Sequence, residues 1–152
     1  MSSKNYKLLL NKITTFVFDV DGVLTNGKIL VTNEGEMYRE MNTRDGFALK
    51  YALLKGFNIC IISGGTNQGV KKRLENLGVN KVYLGIHEKD IALDDFINTY
   101  NINPEEVLYM GDDVPDMPVM EKVGVATCPQ DAVPDVKRIA DYVSHKNGGD
   151  GC

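Results

Sequence analysis

Three short apolar runs constrain this chain more than any other feature. Residues 13–18, Asn58–Ile62 and Val107–Met110 are each rich in β-branched, aromatic or long aliphatic side chains, and each stops abruptly at polar residues. Runs this short and this apolar read as strands buried on both faces. Segments with apolar residues at helical spacing lie between them. Strands that alternate with helices form a parallel sheet, because a parallel neighbour is reached only through a crossover. The expected fold class is therefore α/β: a Rossmann-like parallel sheet with helices on both faces. At 152 residues, 43% of them hydrophobic, a single domain over 1–152 with a substantial core is expected.

In chain order, residues 28–31 and 36–41 flank Thr32-Asn33-Glu34-Gly35 and read as a small projecting β-hairpin. Thr43 or Asp45 offers a cap for a helix carrying Phe47, Leu49, Tyr51, Leu53 and Leu54, and Gly56 stops it. After the strand at Asn58–Ile62, Val70, Leu74 and Leu77 mark a second helix ended by Gly78. A strand over 79–84, a helix over Lys89–Tyr100, the strand Val107–Met110, a short helix over 117–122, an apolar segment 123–126, a helix over 134–140 and a strand at 142–143 complete the expectation. Gly148-Gly149-Asp150-Gly151 reads as a mobile end.

The polar residues fall where the strands end. Asp19 and Asp21 follow the first run, Ser63-Gly64-Gly65 the second, and Asp112-Asp113 with Asp116 the third. In an open parallel sheet, ligands bind beyond the carboxyl ends of the strands, so these groups converge on one crevice. Two carboxylates one residue apart repel unless a cation or a shared proton lies between them, and hard oxygen donors suit Mg²⁺. Phosphoryl transfer uses such a set. Asp19 is the candidate nucleophile and Asp21 the candidate acid and base. Ser63 and the N–H groups at Gly64 and Gly65 can hold phosphate oxygens, with Lys89 as a point cation. Asp19, the backbone carbonyl of Asp21 and Asp112 are the candidate Mg²⁺ ligands, with Asp113 and Asp116 behind them. Each residue also has a plainer reading: Ser63 as a helix cap, Lys89 as a solvated lysine, Asp113 and Asp116 as caps of the following helix. His87 and His145 are isolated and receive no catalytic role.

The net charge is −4, and the one basic cluster is Lys71-Lys72-Arg73, which argues against a nucleic-acid surface. No run reaches membrane-spanning length, and the polar stretch 1–11 carries only the apolar triplet Leu8-Leu9-Leu10, too short for a signal peptide core. Cys60, Cys128 and Cys152 show no metal-ligand spacing and read as reduced thiols. A cytoplasmic location is the expectation.

The segments Asp19-Val20-Asp21-Gly22-Val23, Ser63, Lys89 and Gly111-Asp112-Asp113-Val114-Pro115-Asp116, in this order and spacing, resemble the four motifs of the haloacid dehalogenase superfamily of phosphatases. The resemblance implies the roles derived above. Within that superfamily, residues 21–26, the hairpin where a cap domain can stand, Asn42-Thr43-Arg44-Asp45-Gly46 and the Gly148-Gly149 tail are similar to the capless phosphatases of 3-deoxy-D-manno-octulosonate (KDO) 8-phosphate. That likeness implies a sugar-acid phosphate substrate and a homotetramer in which a neighbouring subunit replaces the cap. It also implies substrate contacts from Glu40, Met41, Asn42, Thr43, Arg44 and Arg73. The tetramer gives the hairpin's Ile29, Leu30, Val31 and Met37 a place to be buried.

Two departures stand out. The family often carries an Arg directly after its Ser/Thr-Gly pair, where this chain has Gly65 and Thr66, so a carboxylate contact is either absent or supplied from elsewhere. The family's tail continues into a segment whose Arg reaches a neighbour's site, whereas this sequence ends at Cys152, giving the expectation of a truncated chain with impaired closure. A nonulosonate 9-phosphate phosphatase and a broad-specificity capless phosphatase are the alternatives within the class. A receiver-like phospho-acceptor module is the alternative outside it, opposed by the late position of the second acidic pair.

Overall fold

A computed structural model describes residues 5–152. The first four residues of the polar N-terminal stretch lie outside the described residues. The short helix α1 (Tyr6–Leu9) precedes β1 (Thr15–Phe18), and the hairpin strands β2 (Leu30–Val31) and β3 (Met37–Tyr38) follow. The remaining elements are α2 (Thr43–Leu54), β4 (Asn58–Ile62), α3 (Gln68–Asn76), β5 (Lys81–Tyr83), α4 (Lys89–Tyr100), β6 (Val107–Met110), α5 (Met117–Met120), β7 (Val125–Cys128), α6 (Pro134–Ile139) and β8 (Tyr142–Val143).

The main sheet has the order β5-β4-β1-β6-β7-β8, and every neighbouring pair is parallel. Strand β1 lies centrally, with Phe16 opposite both Ile59 and Leu108. The chain first builds outward from β1 through β4 and β5, then crosses to the other side for β6, β7 and β8. That reversal makes the carboxyl end of β1 the topological switch point, where such sheets bind ligands.

The period-two alternation of the strands divides the core into two layers. Val17, Cys60, Ile62 and Tyr109 face Leu93 and Phe96 of α4, Val119 and Met120 of α5 and Val136 of α6. Ile59, Ile61 and Met110 face the opposite way, against Leu49 of α2 and Val70 and Leu74 of α3. Helices therefore cover both faces, as expected from the sequence, and among the described residues no cap domain interrupts them.

The differences from expectation are local. The cap of α2 is Asn42, whose side-chain oxygen accepts from the Arg44 N–H at 2.8 Å, rather than Thr43 or Asp45. The strand expected over 79–84 shortens to Lys81–Tyr83, and the helix expected over 117–122 begins earlier, as a tight turn at Val114–Asp116 that leads into α5. The C-terminal glycines are docked rather than loose: Gly149 N–H donates to Val23 O at 2.9 Å, Gly148 N–H to Asp131 Oδ1 at 2.9 Å, and Asn42 Nδ2 to Gly149 O at 2.9 Å. Among the described residues, no helix is long and apolar enough to cross a membrane.

Candidate active site

The carboxyl ends of β1, β4 and β6 open onto a cavity of about 370 Å³. Asp19, Asp21, Ser63, Gly64, Gly65, Lys89, Asp112, Asp113 and Asp116 all line it, joined by Gly27, Ile86, His87 and Pro115. Residues far apart in sequence thus share one wall, because three parallel strands end side by side.

Asp19 is the first residue beyond β1 and is 6% exposed. Its Oδ1 accepts from the Val20 N–H at 2.7 Å, and its Oδ2 lies 2.8 Å from Lys89 Nζ. Burial and then the nearby Asp116 charge push its pKa up to about 6, against the opposing pull of Lys89. The turn after Asp19 is braced by Thr25, fully buried, whose N–H donates to Val20 O at 3.1 Å. Gly22 sits in that turn with φ +86°, and a Cβ there would fall 2.0 Å from Asp112 Oδ2. The glycine is required twice, for the positive φ and for the approach of Asp112.

Lys89 opens α4, and only 6% of it is exposed, so the reading of a solvated surface lysine does not hold. Its ammonium bridges Asp19 and Asp116, at 2.8 Å from each. Burial alone would lower its pKa; the Asp116 and Asp19 carboxylates outweigh that and leave it above the ordinary lysine value. Asp116 is fully buried and uses both oxygens. Oδ1 accepts from Lys89 and from the Tyr109 hydroxyl, and Oδ2 accepts from the N–H groups of Asp112 and Asp113 at 2.9 and 3.2 Å. Asp113 caps the turn at Val114–Asp116 through the Val114 N–H. The pair thus caps this turn rather than the helix from Met117, and both residues also line the cavity. Ser63 is 2% exposed, and its hydroxyl accepts from the Gly65 N–H at 3.2 Å.

Carboxylate oxygens of Asp19, Asp112 and Asp116 lie within 4.8 Å of one another. Asp112 Oδ1 is buried without a hydrogen-bond partner, a costly arrangement for an ionised oxygen unless a cation meets it. Burial, then Asp116, Asp19 and Asp113, push the Asp112 pKa up to about 7. This donor set fits a hard divalent cation. Asp116 is already saturated, which leaves Asp19 and Asp112 as the candidate carboxylate ligands.

Sequence reasoning missed Arg39. From the residue after β3 it sets a two-pronged pair on Asp21, Nε to Oδ1 at 2.7 Å and Nη2 to Oδ2 at 3.0 Å. The empty place at Gly65 was the available signal. Reasoning from sequence also assigned nothing to Tyr109 and gave no role to His87, which lies on the cavity wall. Glu40, Met41, Asn42, Thr43, Arg44 and Arg73 do not line this cavity within one chain. Glu40 borders a neighbouring cavity under the hairpin, Met41 packs into the α2–α3 core layer, Asn42 holds the C-terminal tail, and Arg44 lies near Gly151. Arg73 is packed against α2, so that a Cβ on Gly46 would fall 2.6 Å from its Nη2.

A parallel sheet whose switch point joins a buried aspartate, an ion-paired lysine and an unpartnered aspartate oxygen is equipped for phosphoryl transfer. Residues 86–152 match the haloacid dehalogenase-like hydrolase family. The 3-deoxy-D-manno-octulosonate 8-phosphate phosphatase of Salmonella typhi is 42% identical over 139 residues, covering 91% of this chain and 74% of its own. The crystal structure of the phosphatase of that name from Yersinia pestis superposes with a TM-score of 0.94 at 32% identity, over 97% of this chain and 80% of that one. A Moraxella catarrhalis phosphatase of the same name, in complex with magnesium, phosphate and KDO, gives a TM-score of 0.92 at 27% identity, over 99% of this chain and 86% of that one. The chain belongs to the 3-deoxy-D-manno-octulosonate 8-phosphate phosphatase family of haloacid dehalogenase-like hydrolases, and it is a phosphoric monoester hydrolase.

Proposed function

We propose that this chain hydrolyses KDO 8-phosphate to KDO and phosphate with Mg²⁺, through an aspartyl phosphate on Asp19. One observation carries the reading: Asp19 is buried at the end of β1, held by Lys89 and the Val20 N–H, beside the unpartnered Asp112 oxygen. Mg²⁺ held by Asp19, Asp112 and the Asp21 carbonyl supplies charge neutralisation to the phosphoryl oxygens. Ser63 and the N–H groups of the Gly64-Gly65 turn take the remaining oxygens. The Asp19 carboxylate attacks phosphorus as the bond to the sugar oxygen breaks, and Asp21 gives that oxygen its proton. Water then attacks the aspartyl phosphate, Asp21 takes a proton from it, and Asp19 is regenerated with release of phosphate.

The substrate reading is supported by the named relatives and by the KDO bound to the Moraxella protein. A homotetramer with a neighbouring subunit as the cap is supported by the hairpin, where Leu30 and Val31 are 68% and 63% exposed. In such an assembly Glu40, Met41, Asn42, Thr43, Arg44 and Arg73 are the substrate-contact candidates. The soluble sugar-acid phosphate substrate supports work in the cytoplasm.

The test is phosphate release from KDO 8-phosphate and a nonulosonate 9-phosphate side by side, with Mg²⁺ and with EDTA. The expected result is a preference of about a hundredfold in kcat/KM for the eight-carbon acid, roughly 2.7 kcal/mol, abolished by EDTA. Equal, slow hydrolysis of both acids would overturn the substrate assignment.

A further inference from the structure

We propose that Arg39 is the specificity-determining residue of this site: its guanidinium pairs with Asp21 in the substrate-free protein and transfers to the carboxylate of the sugar acid when substrate binds. The inference rests on the sugar-acid reading above.

Four observations place Arg39 for this task. Its fork, Nε and Nη2, already grips a carboxylate two-pronged, at 2.7 and 3.0 Å, which is the geometry a second carboxylate would use. Space for the guanidinium comes from Gly65. A Cβ at that position would lie 3.3 Å from Arg39 Nη2 and 3.2 Å from Asp21 Oδ2, and φ of Gly65 is not positive, so room rather than backbone conformation accounts for the glycine.

Arg39 also stands between two cavities. Its partner Asp21 lines the catalytic one, whereas Arg39 itself lines a cavity of about 500 Å³ bounded by Asn26, Lys28, Leu30 and Glu40. A substrate with its phosphoryl group at Asp19 and its sugar on the Asp21 side would reach that space beside Arg39. Finally, the strand that delivers Arg39 is stapled to the catalytic loop. Asn67, the cap of α3, donates from Nδ2 to Met37 O at 2.7 Å while its Oδ1 accepts from the Val70 N–H.

Lys89 cannot serve the same purpose. It is the one Lys or Arg lining the catalytic cavity among the described residues, and it is engaged by Asp19 and Asp116. An acid-bearing substrate thus has one guanidinium within reach of Asp21, and taking it uncovers Asp21 to face the leaving oxygen. A neutral sugar phosphate offers no group that exchanges with Asp21.

The experiment compares kcat and KM for KDO 8-phosphate and p-nitrophenyl phosphate, with Mg²⁺, in the wild type, Arg39→Gln and Arg39→Lys. The expected result is that the ratio of kcat/KM for the acid to that for the neutral ester falls at least tenfold in Arg39→Gln, chiefly through KM, with Arg39→Lys between the two. An equal fall for both substrates, carried in kcat, would overturn the assignment and leave Arg39 as a support for Asp21 alone. A wild-type preference that survives Arg39→Gln unchanged overturns it as well. A wild type with no preference for the acid overturns instead the substrate reading, and this inference with it, so the two failures are separately visible.

Discussion

On the β6 side of the cleft, Lys89 is clamped between two carboxylates, and Asp116 bonds four donors drawn from α4, β6 and the loop after it. On the hairpin side, Asp21 is held by one guanidinium that arrives beyond a strand of two residues. The first side is anchored in the layer containing Tyr109, Phe96 and Leu93, all fully buried. The second projects Leu30, Val31 and Tyr38 into solvent. The candidate groups for the phosphoryl oxygens thus stand on the buried sheet, and the proposed discriminating residue stands on the exposed hairpin.

The contrast can be broken most severely at Asp19. Asp19→Asn removes the nucleophile and should lower kcat by about 10⁴ or more, with the far-ultraviolet circular dichroism unchanged. A variant keeping a hundredth of the activity would show that another group attacks phosphorus. Asp116→Asn should come next, because it leaves Lys89 short of a buried partner. Urea unfolding should register a loss of about 3–5 kcal/mol, accompanied by lower turnover.

The acidic side also has a pH signature. Asp112, pushed up to about 7, titrates higher folded than unfolded, so between about pH 4 and that value the metal-free protein holds more protons when folded. Its stability therefore falls as pH rises through this window. A divalent cation favours the ionised form, so Mg²⁺ should raise the melting temperature more at about pH 8 than at about pH 5. A metal-induced shift independent of pH would remove Asp112 from the ligand set.

Effects on the hairpin side should be smaller. Leu30→Asp should move the mass seen by light scattering toward the monomer at micromolar concentration, while costing about 1 kcal/mol or less in the fold of the chain itself, since Leu30 is 68% exposed. Asn67→Ala removes both the cap of α3 and the staple to Met37. It should cost about 1 kcal/mol in stability and raise KM for the acid several-fold, measured by melting and steady-state kinetics.

This division also governs how much could be read in advance. The strands Asn58–Ile62 and Val107–Met110 and the helix Lys89–Tyr100 have the bounds expected from sequence, because apolar period and Gly or Pro punctuation agree there. The convergence of Asp19, Asp21 and Asp112 on one cavity was legible because each follows directly on a buried run. Asn42 was passed over as a cap because Asn, Thr and Asp all occur within four residues, and what sets Asn42 apart is a tertiary bond from its Nδ2 to Gly149. Arg39 was missed for a similar reason: Gly65 marked a vacant place, but which side chain fills it is decided by where the two-stranded ribbon sets Arg39 against Asp21. The tail misled through composition. Gly148 is there because a Cβ would fall 1.9 Å from Gly22 O, a crowding that local sequence does not reveal.

That contact between Gly148 and Gly22 sets an order of events during synthesis. The loop that carries Asp19 and Asp21 is made well before its neighbours Asp112 and Gly149. A nascent chain held before residue 148 lacks the backbone that closes over Gly22 and Val23. The turn after Asp19 therefore gains its backbone bond from Gly149 only after Asp112 and the other candidate site residues have been made.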